Sequence, residues 1–393
     1  MISHPPPSFA APIGRLTLAR RRFLHGLAAL PWSAGAADAI VLEPTGKSSI
    51  RPRPLVFPED HGAHPDTRIE WWYVTGTVGV DSSAAEAGSA SADRCGFQVT
   101  FFRSRTAVAA DQPSRFAAKQ LLFAHAALTD LKQGRLKHDQ RIARSGFGIA
   151  EAAVGDTALA LRGWSLIREA REGGSRYRAR AGSDSAGFAF DFNFDTTQPL
   201  LLQGDAGYSR KGPKPEQASH YYSQPQLAVS GTLTRDGAAL PVRGTAWLDH
   251  EWSDSLLDPD AVGWDWIGMN LADGSAFTAF RLRSADGGTV YAGGSFRAAG
   301  GAVRNFAADE VRFVPGRVWT SPQSRARYPV EWTIETPAGR YTVKSLLNAQ
   351  ELDSRTSTGA IYWEGLSELR NESGQRVGVG YLEMTGYAAR LSL

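Results

Sequence analysis

The run GFAFDFNF, Gly187 to Phe194, alternates apolar and polar side chains, and a period of two marks a β-strand with one buried face. The same alternation, or a β-branched and aromatic run, recurs at Glu70 to Val80, Gly96 to Arg103, Leu227 to Thr234, Ala276 to Arg283, Val330 to Glu335, Tyr341 to Leu346 and Gly378 to Tyr387. Turn signals separate the runs: Asp236-Gly237, Asp273-Gly274, Asp286-Gly287, Pro337-Ala338-Gly339 and Glu372-Ser373-Gly374. Helical candidates are short, Phe116 to Leu122 and Ala307 to Phe313. Many short strands joined by tight turns bury their apolar faces against each other. The pattern predicts an all-β protein of barrels or sandwiches, with meandering barrels the better fit.

Composition bounds the class. The chain has 393 residues, 42% hydrophobic and 21% charged, which suits a soluble protein of two domains. The boundary is expected near Asp236 to Leu240, giving domains over 45–236 and 237–393, with Ser82 to Asp93 a surface loop of the first. The formal charge is +3, part of it in the first 25 residues, and no basic stripe interleaves with stacking aromatics. Nucleic acid is therefore not an expected partner. Cys95 is the only cysteine, which excludes an internal disulfide and points to a structural thiol.

Arg20, Arg21, Arg22, Phe23 and Leu24 read as the arginine pair and hydrophobic step of a twin-arginine export signal. The apolar run Gly26 to Ala36 is too short to span a bilayer and is followed by Ala-x-Ala choices. A signal peptide over residues 1–39 is expected, with a periplasmic or secreted mature chain that has no transmembrane segment.

Two tryptophan-rich segments, EWWYVTG (Glu70 to Gly76) and AWLDHEWSDSLLDPDAVGWDWIG (Ala246 to Gly268), place large rings beside carboxyls and a histidine. If Leu248 to Trp252 is extended, His250 and Trp252 share one face and Asp249 and Glu251 the other; Trp264 and Trp266 likewise share a face opposite Asp265. An aromatic cavity suits an apolar ligand, and indole faces stabilise cations by about 0.5–2 kcal/mol. A carboxyl in such a setting becomes a general acid, able to protonate an alkene before water captures the cation. The structural alternative stays open: Asp249 and Glu251 paired with Arg68 or Arg243, and the tryptophans filling a barrel.

The strings HGAHPDTRIEWWYVTG, KGPKPEQASHYYSQPQLAVSGTL, GTAWLDHEWSDSLL, GWDWIGMNLADG, IYWEG and GYLEMTGY, in this order, resemble the secreted AttH-like family, which is similar to hydroxyneurosporene synthase (carotenoid 1,2-hydratase). The resemblance covers nearly the whole mature chain. It implies two lipocalin-like antiparallel β-barrels packed together. It also implies catalytic roles for His250 and Trp252, with Asp265 as the acid, although Gly263 stands where the hydratase branch has a Tyr. Trp71, Trp72, Tyr221, Tyr222, Trp264 and Trp266 are the expected ligand-binding rings.

Other constellations are weaker. Asp60, His61, His64, Asp66 and Glu70 match no standard zinc or calcium spacing, and neither a phosphate loop nor a serine-hydrolase elbow is present. No metal or cofactor is expected. Two functions from different classes follow: a carrier of a lipid, isoprenoid or similar apolar molecule, acting with or without a membrane exporter, and a cofactor-independent hydratase or isomerase.

Overall fold

In the strand Phe188–Asp195 the four phenylalanines turn into one core while Ala189, Asp191 and Asn193 are half-exposed. This strand belongs to a computed structural model that describes residues 50–80, 94–109, 111–255 and 257–391. The expected export signal over residues 1–39 and the Ser82 to Asp93 loop lie outside the described residues.

The described chain is organised in two large antiparallel sheets. The first has thirteen strands. From the edge strand Arg135–Arg144 it runs through Gln120–Asp130, Arg94–Arg105, Ile69–Val80, Ala238–Ser253 and Ala218–Arg235 to Phe188–Asp195. It continues through Gly174–Ser183, Trp164–Arg171 and Ala158–Leu161 to Ala150–Ala152. The Arg135–Arg144 edge returns against Ala158–Leu161 and Gly174–Ser183, so the sheet curls into a nearly closed barrel. The second sheet has ten strands, centred on Ala276–Ser284, Ala261–Leu271, Arg376–Met384 and Ala360–Arg370. This is the all-β, paired lipocalin-like architecture that the sequence implied. No helix among the described residues is long and apolar enough to cross a membrane.

The segment Phe116 to Leu122 is not helical: from Gln120 it enters the strand Gln120–Asp130. That strand is buried on both faces, and such a run carries no alternation to distinguish it from a buried helix. Around Ala307 to Phe313 only the short 3₁₀ turn Ala308–Glu310 forms before the strand Arg312–Pro315.

Asp236-Gly237 is the hairpin turn joining Ala218–Arg235 to Ala238–Ser253, two strands of the first sheet. The chain passes to the second sheet after Ser253, before Ala261–Leu271 begins. One core fills the first barrel around Trp72, Phe97, Phe192 and Trp252, and another lies inside the second sheet around Ile267, Phe277, Trp332 and Trp363. A third, formed by Tyr73, Trp247, Trp266, Phe280, Leu366 and Tyr381, lies where the two sheets face each other.

Candidate functional site

Alternation along three strands assigns the rings and carboxyls to compartments. On Ala238–Ser253, Leu248, His250 and Trp252 point into the first barrel, while Trp247, Asp249 and Glu251 face the second sheet. On Ile69–Val80, Trp72 points into the barrel, and Trp71 and Tyr73 face outward. On Ala261–Leu271, Trp264 and Trp266 look back toward the first sheet. A cavity of about 260 Å³ opens between the sheets, walled by Trp71, Phe102, Tyr221, Trp264, Trp266 and Phe280.

One part of this apolar wall carries acids. Asp249 accepts hydrogen bonds from Tyr221 Oη at 2.9 Å, Ser223 Oγ at 2.5 Å and Trp247 Nε1 at 2.7 Å. Burial nevertheless raises its pKa to about 7 against the opposing effect of these donors. Glu251 accepts from Ser219 Oγ at 2.5 Å and pairs with Lys211 Nζ at 3.0 Å. Across the cavity, neighbouring strands set Trp266 beside Glu383 and Glu383 beside Glu364. Burial raises Glu383 to about 7, with a hydrogen bond from Trp264 opposing and Asp249 and Glu251 adding to the shift. Glu364, buried and bonded by the Tyr73 hydroxyl, is pushed well above the usual carboxyl range by burial and by Glu383.

Behind the wall, inside the first barrel, lies a second polar group of different character. His64 Nδ1 lies 2.7 Å from Glu70 Oε1 and its Nε2 lies 2.9 Å from Asp60 Oδ1. Both partners are carboxylates, so both nitrogens must donate and the ring is an imidazolium. Burial works against that charge, but Asp60 and Glu70 outweigh it and raise the pKa. The imidazolium also stacks on Trp252, with ring centroids 3.8 Å apart. His250 donates Nε2–H to Glu70 Oε1 at 2.9 Å, which leaves Nδ1 to accept from Tyr222 Oη at 3.2 Å. Burial lowers His250 to about 4, so this ring is neutral. Burial would raise Glu70, yet His250, His64 and Arg103, whose Nε lies 2.7 Å from Oε2, hold it well below the usual range.

His64, Glu70 and His250 are also the residues whose potential ligand atoms come within 4.8 Å of one another. They could hold a divalent ion only in place of the hydrogens that Glu70 now accepts. The Arg103 guanidinium against the same carboxylate opposes that exchange.

A sequence profile described as AttH-like matches residues 48–387. The chain belongs to the AttH-like family. Its fold is similar to the crystal structure of a presumed AttH from Nitrosomonas europaea, with 44% identity and a TM-score of 0.76 over 86% of this chain and 98% of that one. It is also similar to kievitone hydratase from Nectria haematococca, at 16% identity and a TM-score of 0.63 over 86% of this chain and 94% of the other, a likeness of fold alone. No protein of curated function matches the sequence significantly.

In this AttH-like chain the site residues expected from the sequence fall into three places. Trp71, Tyr221, Trp264 and Trp266 line the cavity between the sheets. His250, Trp252, Trp72 and Tyr222 meet inside the first barrel, where Trp72 stacks on His250 at 4.5 Å between ring centroids. Asp265 is buried in the second sheet's own core, bonded to Arg281 Nε at 2.7 Å and Tyr387 Oη at 2.8 Å. The structure therefore does not bring Asp265 to His250 and Trp252. Arg68 and Arg243 are not the partners of Asp249 and Glu251, whose bonds go to hydroxyls, an indole and Lys211. Tyr73, Lys211 and Glu383 were not singled out as site residues. The signal available for Glu383 was an acid near the end of a strand in the otherwise apolar run GYLEM.

Proposed function

We propose that this AttH-like protein is exported and binds an apolar small molecule, such as a lipid or an isoprenoid, between its two sheets. The observation that carries this reading is the aromatic wall of the cavity, formed by Trp71, Trp264, Trp266 and Phe280; such concave apolar sites with a few convergent polar groups are where small ligands bind. Export rests on the twin-arginine pattern at Arg20 to Leu24. The test is mass spectrometry of organic extracts of the purified, exported protein. An apolar molecule is expected to co-purify with the wild type and to be depleted from a Trp264→Ala, Trp266→Ala double variant. Extracts that contain no such molecule, together with no uptake from a lipid and isoprenoid panel, would refute the reading.

A second reading, addition of water to an isoprenoid double bond, is favoured by the acids that burial keeps protonated near neutral pH beside indole rings. Glu383, half-exposed to the cavity, would give its proton to one alkene carbon. The carbocation left on the other carbon would be stabilised by the Trp264 and Trp266 faces. Water would then bond to that carbon and lose a proton back to the Glu383 carboxylate, which restores the acid. A product heavier by one water, made by the wild type and not by Glu383→Gln while the ligand is still bound, is the expected result. Equal turnover by the Glu383→Gln variant would remove Glu383 from this role.

A further inference from the structure

The cavity wall already holds one ammonium group. Lys211 sets Nζ 3.0 Å from Glu251 Oε1 and 4.5 and 4.3 Å from the ring centroids of Tyr221 and Phe280. A carboxylate and two aromatic faces thus share a single cation there, which is the chemistry of an amine-binding box. Asp249, Glu364 and Glu383 stand in the same wall with no cationic partner among the described residues: the groups acting on them are hydroxyls, indoles and other carboxyls. Arg103, which also borders the cavity, is engaged by Glu70, Gln120 and Thr67.

Glu364 is 1% exposed and lines the cavity, and its Oε2 is buried without a hydrogen-bond partner among the described residues. Leaving such an oxygen unsatisfied is costly, and a purely apolar ligand would leave it so. A hydroxyl would satisfy one oxygen but would do nothing for three neighbouring acids. A bare metal ion fits poorly, since among the described residues no three of these carboxyls bring oxygens within 4.8 Å of one another. An organic ammonium, larger and able to share its charge between carboxyls and indole faces, fits that spacing.

We propose that the apolar ligand of this cavity carries a basic amine, seated among Glu364, Glu383 and Asp249 with Trp264 and Trp266 against its cationic head. This rests on the apolar-ligand reading above and narrows its chemical class. The experiment compares decylamine, decan-1-ol and decanoate, each below its micellar concentration, by tryptophan fluorescence and calorimetry on the full-length protein at about pH 8. Decylamine is expected to bind about tenfold or more tighter than decan-1-ol, with decanoate weakest. Glu364→Gln, and independently Glu383→Gln, are expected to shrink the ratio of amine to alcohol affinity while the circular dichroism spectrum stays that of the wild type. Equal binding of amine and alcohol, or an amine preference that survives in both folded variants, would overturn the amine and leave the apolar reading standing. Tighter binding of decanoate would overturn it as well. Failure of all three to bind would overturn both.

Discussion

Asp249 and Glu70 are both almost fully buried, and burial pushes the pKa of each upward, so their partners decide where each one ends. Glu70 faces Arg103 and the His64 imidazolium and stays ionised; for Asp249 burial prevails over the neutral donors that oppose it, Glu251 adds to the shift, and its pKa rises to about 7. For Asp249 the unfolded chain releases its proton near pH 4, whereas the folded protein keeps it until about 7. Its contribution is fully present below the lower value and is lost as pH rises through the upper one. Glu70 contributes above its unfolded pKa and loses that contribution as pH falls toward its depressed folded value. Asp249→Asn should therefore gain melting temperature relative to wild type as pH goes from about 5 to about 8; a difference constant with pH would mean that Asp249 is ionised throughout. His250→Ala should cost about 3 kcal/mol in urea denaturation, because Glu70 loses a charge-assisted bond and a cavity forms. Because His250 points into the first barrel, affinity for an apolar probe should hold in that variant. Loss of binding with little loss of stability would place His250 in the site.

At the scale of elements, the strand Ala218–Arg235 shows how local chemistry sets geometry. Pro225 cannot donate to the ladder, and the register slips between Gln224 and Leu227 with Gln226 at φ 56°. The bulged Gln226 then bonds the second sheet, its Nε2 donating to Leu271 O and Ser275 O at 2.9 Å each. The hairpin that follows needs positive φ at both Asp236 (50°) and Gly237 (83°). Gly237→Ala has free space around it, so its cost is conformational alone. It should lower stability by about 1 kcal/mol, read as a shift of the urea midpoint at constant slope. An unchanged midpoint would show that the turn tolerates a side chain. The Asp-Gly turns and the alternating strands were legible in the sequence for this reason: each rests on a local rule. Gln120–Asp130 was not, because burial on both faces erased its alternation. Alternation also separated His250 and Trp252 from Asp249 and Glu251 correctly. It could not say which pair meets the cavity, since that depends on which sheet packs against which face.

At the scale of the whole molecule, the site exists only because two sheets meet at a fixed distance, and that distance is set by residues far apart in sequence. Gly96, on the strand Arg94–Arg105, marks a point of closest approach: a Cβ there would lie 2.6 Å from Tyr381 Oη and 2.9 Å from Leu366 Cβ of the opposing sheet. Both are main parts of the inter-sheet core, which also contains the cavity ring Trp266. Gly79, at the end of a neighbouring strand, would meet nothing within 4 Å. The two glycines thus form a matched pair, one wedged between sheets and one free. Gly96→Val should force the sheets apart, costing about 1–3 kcal/mol, and should weaken apolar-probe binding because the indoles no longer close on the ligand. Gly79→Val should leave both unchanged. If Gly96→Val melts and binds like Gly79→Val, the sheets do not depend on close packing at this point, and the cavity cannot owe its shape to it. If stability falls while binding holds, the ligand pocket lies within one barrel rather than between the two.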